Sequence, residues 1–127
     1  MLYFAYGSNL NHFQMKRRCK DSIFLKKINL KDFRLTFRSK YRAADIESKK
    51  NSIVPGGLFE ISKSDEKKLD VYEDFPILYK KHYLYIFFSF ENGEDYYHKQ
   101  SKAFNGPLFQ FFFHSQTLKF VSYNYLF

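Results

Sequence analysis

Two short stretches hold the side chains best suited to chemistry. The first is "YFAYGSNL", residues 3 to 10, where three aromatics and an alanine run into Gly7, Ser8 and Asn9. A tight turn and a substrate-binding loop both fit that pattern. The second is "LDVYEDFPILYKK", residues 69 to 81, which sets Glu73 among Tyr72, Phe75, Pro76 and Tyr79. A carboxylate among aromatic rings loses solvation, which disfavours its charged form and raises its pKa. Asp70 and Asp74 push the same way if they lie close in space. A glutamate so tuned is a usable general base near neutral pH. The plainer alternative is a solvated glutamate near a helix end.

Other candidates offer less. Ser8 lacks the second glycine of a Gly-x-Ser-x-Gly elbow, and no histidine stands at a telling spacing to act as its base. His12, His82, His98 and His114 are scattered and form no ligand pair with Cys19, so no metal and no cofactor is called for. The "VPGG" at residues 54–57 lacks the Gly-Lys-Ser/Thr ending of a phosphate loop. Cys19 stands alone, which excludes an intramolecular disulfide framework and suits a reducing cytoplasm. A cysteine of this kind is most often a small buried hydrophobe.

These residues need elements to position them. Leu2 to Tyr6 reads as a buried strand. Asn9 or Asn11 can cap a short helix with His12 to Arg18 as its body. Two strand-like runs follow, Ile23 to Leu30 and Phe33 to Phe37. In the second, Phe33, Leu35 and Phe37 alternate with Arg34 and Thr36, the period of a half-buried strand. "RAADI" extends the sheet, "ESKKNS" is a polar loop, and "IVPGGLFEI" is a strand whose Pro-Gly-Gly marks a bulge, a bend or a close backbone approach. Ser62 caps a helix through Glu73, with Leu69 and Tyr72 three apart on one buried face. Pro76 marks where that helix must have ended. "YKKHYLYIFFSF" and "ENGEDYYHK" form a hairpin about Asn92-Gly93. Strands with two interspersed helices indicate an α+β domain or a small barrel.

The chain of 127 residues is the length of one domain, 1–127. The start "MLYFAYGSN" lacks a basic n-region and a long apolar core, unlike a signal peptide. The apolar run near "YLYIFFSF" is far short of the roughly 20 residues of a membrane helix. A soluble cytoplasmic protein with no membrane partner is the expectation. The net charge is +8, but the basic residues are spread from Lys16 to Lys119, which argues against a nucleic-acid footprint. Residues 84–127 differ in character: they hold 10 of the 17 phenylalanines, and no carboxylate side chain follows Asp95. Such a Phe-rich tail could bury itself in a second copy, as a homodimer.

The two chemical stretches together resemble the gamma-glutamylcyclotransferase-like family. "YFAYGSNL" is followed, in family order, by "VPGGLFEIS" and then by "LDVYEDFPILYKK" with its Glu-x-x-Pro. The resemblance covers roughly residues 2 to 83. It implies a small mixed β-barrel with flanking short helices and a cavity at one end. It implies a small γ-glutamyl substrate, whose α-amine attacks its own γ-carbonyl to give 5-oxoproline and a free amine or amino acid. Tyr6, Gly7, Ser8, Asn9 and Leu10 match the family's substrate-binding loop, and Glu73 matches its acid, the general base. The family follows its last strands with a Pro-Ser segment and a Tyr four residues after the Pro. Here Leu108 follows Pro107 and Phe111 takes the Tyr position, so residues 84–127 are a divergent part. A non-catalytic protein of the same fold that binds a small acid is the alternative this departure motivates.

The implied chemistry has a definable cost. An α-amino group titrates near 8 and a free Glu near 4.3, so moving the proton between them is uphill by about 5 kcal/mol. Desolvating both groups narrows the gap from both sides. Closure of a five-membered ring supplies proximity, so no activated external nucleophile is needed. Backbone N–H groups of the Gly7 to Leu10 turn suit either the developing oxyanion or the α-carboxylate.

Overall fold

Strand β1 covers Leu2–Ala5, one residue short of the expected end at Tyr6. The computed structural model describes residues 1–38, 42–77, 79–91, 94–99 and 118–125, and the account below concerns these. After β1 come a single 3-10 turn, Ser8–Leu10, and helix α1, His12–Arg18. Strands β2, Ile23–Arg38, and β3, Ala43–Glu60, lead to helix α2, Lys63–Tyr72. Strands β4, Tyr79–Glu91, β5, Glu94–Lys99, and β6, Leu118–Tyr125, follow. The architecture is mixed α+β, as expected.

The strands pair in the order β1-β3-β2-β5-β4-β6, and β6 also pairs with β1. The β1–β6 and β2–β5 pairs are parallel and the others antiparallel. Glu91 opposes Glu94 across β4 and β5, the register of the expected two-residue hairpin, whose turn at 92–93 lies outside the described residues. The expectations for Pro107, Leu108 and Phe111 also fall outside them.

Alternation along β1 divides the core in two. Phe4 faces a cluster with Ile28, Leu30, Phe33, Ile46, Val54 and Leu58, all from strands. Tyr3 and Ala5 face the helices, packing with Met15, Cys19, Phe59, Ile61 and Leu69. Met15 and Leu69 are fully buried, each contributing about 1.5–3 kcal/mol by leaving water. Burial, then the nearby Asp65 carboxylate, pushes the Cys19 thiol up to about 12. Cys19 therefore behaves as the small buried hydrophobe its isolation suggested.

The Pro-Gly-Gly segment is a close approach of backbone to ring. A Cβ on Gly56 would stand 2.3 Å from the Phe4 ring and 2.5 Å from the Ala5 carbonyl oxygen.

Three expectations change. The two runs around Asp32 are one strand, irregular between Lys31 and Phe33, where Asp32 and Asn51 both take φ 63°. The Asn51 N–H donates to Asp32 Oδ1 at 3.0 Å, so an aspartate side chain holds the irregularity in place of a loop. Of "ESKKNS", Glu47 and Ser48 continue the ladder opposite Arg34 and Phe33. Second, Leu35 and Phe37 are exposed, Phe37 at 67%. Past Leu30, β2 has β3 as its described partner in a ribbon; Phe33 still reaches the core, but Leu35 and Phe37 do not. Ion pairs of Arg34 with Glu47 and of Arg38 with Asp45 and Glu47 brace the ribbon instead. Third, Leu69 is buried but Tyr72 is half exposed, with the guanidinium of Arg18 lying over its ring. No helix among the described residues is long and apolar enough to cross a membrane.

Candidate active site

Local rules fix both stretches. Gly7 leaves β1 and opens the 3-10 turn, with the Leu10 N–H donating to the Gly7 oxygen at 2.9 Å. The Asn11 side chain then accepts from the Gln14 N–H at 3.1 Å and starts α1. At α2 the Ser62 hydroxyl accepts from the Asp65 N–H at 3.0 Å. Glu73 sits immediately past the last turn. The Asp74 N–H donates to the Val71 oxygen at 3.2 Å and the Phe75 N–H to the Asp70 oxygen at 2.8 Å, with Asp74 at φ 52°. This pairing is a Schellman motif, which ends the helix and turns the chain sharply beyond Glu73. Lys81 on β4 holds the helix from outside, its ammonium donating to Glu66 at 2.9 Å and to Asp70 at 2.7 Å. Burial pulls Lys81 down, but these bonds outweigh it and keep it above its ordinary value.

A cavity of about 470 Å³ opens between these ends. That is the size of a small-molecule site. Tyr3, Tyr6, Gly7, Ser8, Asn9, Tyr72, Glu73 and Tyr79 line it from β1, the 3-10 turn, α2 and β4. Phe37, Arg42, Ala43 and Ala44 line it from the β2–β3 ribbon. A Cβ on Gly7 would lie 3.5 Å from the Ala44 Cβ, so the glycine floor fits against the alanine.

Asn9 joins the two stretches. It is buried, and its Nδ2 donates to the Tyr3 hydroxyl at 2.7 Å and to Glu73 Oε1 at 3.1 Å. Its Oδ1 accepts from Arg18. Burial raises the Glu73 carboxyl above its ordinary value, while the Arg18 charge and the Asn9 hydrogen bond draw it back down. Burial, with the Glu73 charge next, holds the Tyr3 hydroxyl protonated far above the usual tyrosine range. Burial, with Asp45 next, does the same for Tyr6. A partly desolvated carboxylate beside neutral hydroxyls can take a proton from a bound amine.

Of the residues expected in the site, Tyr6, Gly7, Ser8, Asn9 and Glu73 share this cavity. Leu10 does not line it, because successive residues of a 3-10 turn point in three directions, and Leu10 turns toward Gly57. The expected push from Asp70 and Asp74 on Glu73 is also replaced. Asp70 is paired with Lys81, and the charge that acts on Glu73 is the cation Arg18. Sequence reasoning missed Tyr3, Arg18, Arg42 and the two alanines. Tyr3 alone had a local signal, since strand alternation from Ala5 turns it toward the helices. Among the described residues no three His, Cys, Asp or Glu side chains come together as a metal site.

No curated protein sequence matches the chain. Among solved structures, uncharacterized protein loc79017 from Homo sapiens superposes with a TM-score of 0.63 at 24% identity, covering 79% of this chain and 66% of that one. A structure named gamma-glutamyl cyclotransferase superposes with a TM-score of 0.62 at 24% identity, covering 80% and 67%. At that identity the likeness is one of fold, and the chain spans about two thirds of the length of each. The sequence profile described as gamma-glutamyl cyclotransferase, AIG2-like, matches residues 3–108. With most of the chain inside that match, the protein belongs to the gamma-glutamyl cyclotransferase, AIG2-like family.

Proposed function

We propose that the protein is a γ-glutamyl cyclotransferase that converts a γ-glutamyl amine or γ-glutamyl amino acid to 5-oxoproline and a free amine. The observation that carries the proposal is one cavity holding both the Gly7–Asn9 turn and a buried, Asn9-bonded Glu73. Family membership supports the same reaction type.

In this reading Glu73 takes a proton from the substrate's α-ammonium. The freed nitrogen attacks the γ-carbonyl carbon, and a carbon–nitrogen bond forms as the ring closes. The ring nitrogen, which still carries two hydrogens, gives up one of them, the bond to the leaving amine breaks, and this proton and the one held by Glu73 depart with that amine as an ammonium. Burial narrows the proton-transfer gap by raising Glu73 toward the amine's own range. The Arg18 charge and then the Asn9 hydrogen bond oppose that rise. Tyr6, Gly7 and Ser8 hold the γ-glutamyl group, and N–H groups of the turn donate to either the oxyanion or the α-carboxylate. In this reading the strands form a small barrel within one domain that works in the cytoplasm.

The test is direct. Incubation with γ-glutamyl-alanine and with a γ-glutamyl alkylamide should release 5-oxoproline and the matching amine in equal amounts. Absence of 5-oxoproline from every γ-glutamyl compound tried, with a folded protein, would sink the reading.

A further inference from the structure

Arg18 has no signature in the sequence, yet its guanidinium meets each element that frames Glu73. It donates to the Ser8 hydroxyl at 3.1 Å, to Asn9 Oδ1, to Gln14 Oε1 at 2.9 Å and to the Tyr72 hydroxyl. Four of its five N–H groups are thereby engaged. Its carbon lies 3.7 Å from the centre of the Tyr72 ring, so the fork is packed against the ring as well as bonded.

This has a consequence for Asn9. A guanidinium has no acceptor, so the Asn9 oxygen must face Arg18. The amide nitrogen is then turned toward Tyr3 and Glu73, where it donates. Rotated by half a turn, the amide would present an oxygen to the carboxylate, and two acceptors would meet. We propose that Arg18 is a positioning residue that locks the Asn9 carboxamide in its donating orientation and so sets where the Glu73 carboxylate points. The inference rests on Glu73 being the base of the proposed reaction.

The groups around Glu73 can be named. Arg18 acts on it from α1, Tyr3 from β1 and Tyr6 from the segment after β1, while Tyr72, Tyr79 and Arg42 line the same cavity. Arg18 is the cation that draws the Glu73 carboxyl down against burial. Its loss has two separable effects, one of charge and one of orientation.

Two variants separate them. Arg18→Met keeps the stem and removes charge and donors. Arg18→Lys keeps the charge but loses the planar fork. The readouts are NMR titration of the ¹³C-labelled Glu73 carboxyl and the pH profile of 5-oxoproline release from γ-glutamyl-alanine. In Arg18→Met the Glu73 titration moves up by about one unit, and the acid limb of kcat/KM moves with it. Its kcat drops by roughly tenfold or more with little change in KM. In Arg18→Lys the titration returns toward wild type while kcat stays low. A merely structural role would lower melting temperature and leave both the titration and the acid limb in place. An unmoved Glu73 titration in Arg18→Met, or full kcat in Arg18→Lys, overturns the proposal. If Arg18→Met does not fold, kcat of Arg18→Lys decides. If wild type makes no 5-oxoproline, the proposed reaction fails, and the titration still decides what Arg18 does to Glu73.

Discussion

The two portions of the cavity lining are built differently. The portion from β1, the 3-10 turn and α2 is locked by side-chain bonds: Tyr3, Asn9, Glu73, Arg18 and Tyr72 form one connected network. The portion from the β2–β3 ribbon offers two alanines, the exposed ring of Phe37 and the exposed Arg42, whose backbone takes φ 50°. The first portion places donors and a base to fixed positions, which is what a reaction needs. The second presents small, open surface, which governs what fits. Under the proposed function, chemistry and fit fall to different parts of the chain, joined where Gly7 meets Ala44.

Substitutions in each portion should then fail differently. Short of removing Glu73 itself, the largest effect is expected from Asn9→Leu, which leaves Tyr3 and Glu73 without their amide. Activity should fall on the order of a hundredfold through kcat, and stability by about 1–3 kcal/mol, read by denaturant unfolding. A loss confined to KM would dissolve the distinction between the portions. Next is Ala44→Leu, whose added bulk enters the cavity. KM should rise by roughly tenfold with kcat and melting temperature nearly unchanged; a fall in kcat as large as that of Asn9→Leu would count against an open portion. Arg42→Gln should act in the same sense and less, raising KM a few-fold for substrates whose leaving group carries a carboxylate. Equal effects on a neutral alkylamide would show that its charge is not used.

The smallest effect is on stability and depends on pH. Burial holds the folded Glu73 carboxyl above its unfolded value, so the folded state binds that proton more tightly. Stability from this group is present at acid pH and is lost as pH rises from the ordinary carboxylate range through the folded value. Glu73→Gln cannot titrate. Its melting temperature should therefore gain a few degrees on wild type as pH rises across that window, and the gain should shrink at acid pH. A gain that is largest at acid pH would reverse the sign of the argument.

Much of this arrangement was legible because it is local. Asn11 and Ser62 announced their helices, and α1 spans the expected His12–Arg18. Phe-Pro after Glu73 marked the end of α2, and Asn-Gly gave the hairpin register. What stayed hidden is long-range. Asn9 and Glu73 are 64 positions apart, and Arg18 and Tyr72 54 apart, and no periodicity reports such pairs. The alternation of Phe33, Leu35 and Phe37 was read correctly as a strand, but of the three only Phe33 is buried, because which positions a core covers is set by partners far along the chain. Leu10 shared a motif with Asn9 yet not a direction, since the 3-10 turn separates them.

The central claim is that Glu73 moves the proton in a cavity shared with the Gly7–Asn9 turn. It is tested most directly by 5-oxoproline release from γ-glutamyl-alanine by wild type and Glu73→Gln, compared at equal folded concentration. The account predicts a loss of roughly 10²–10⁴-fold in the variant with the fold intact. Equal rates for the two proteins would contradict it.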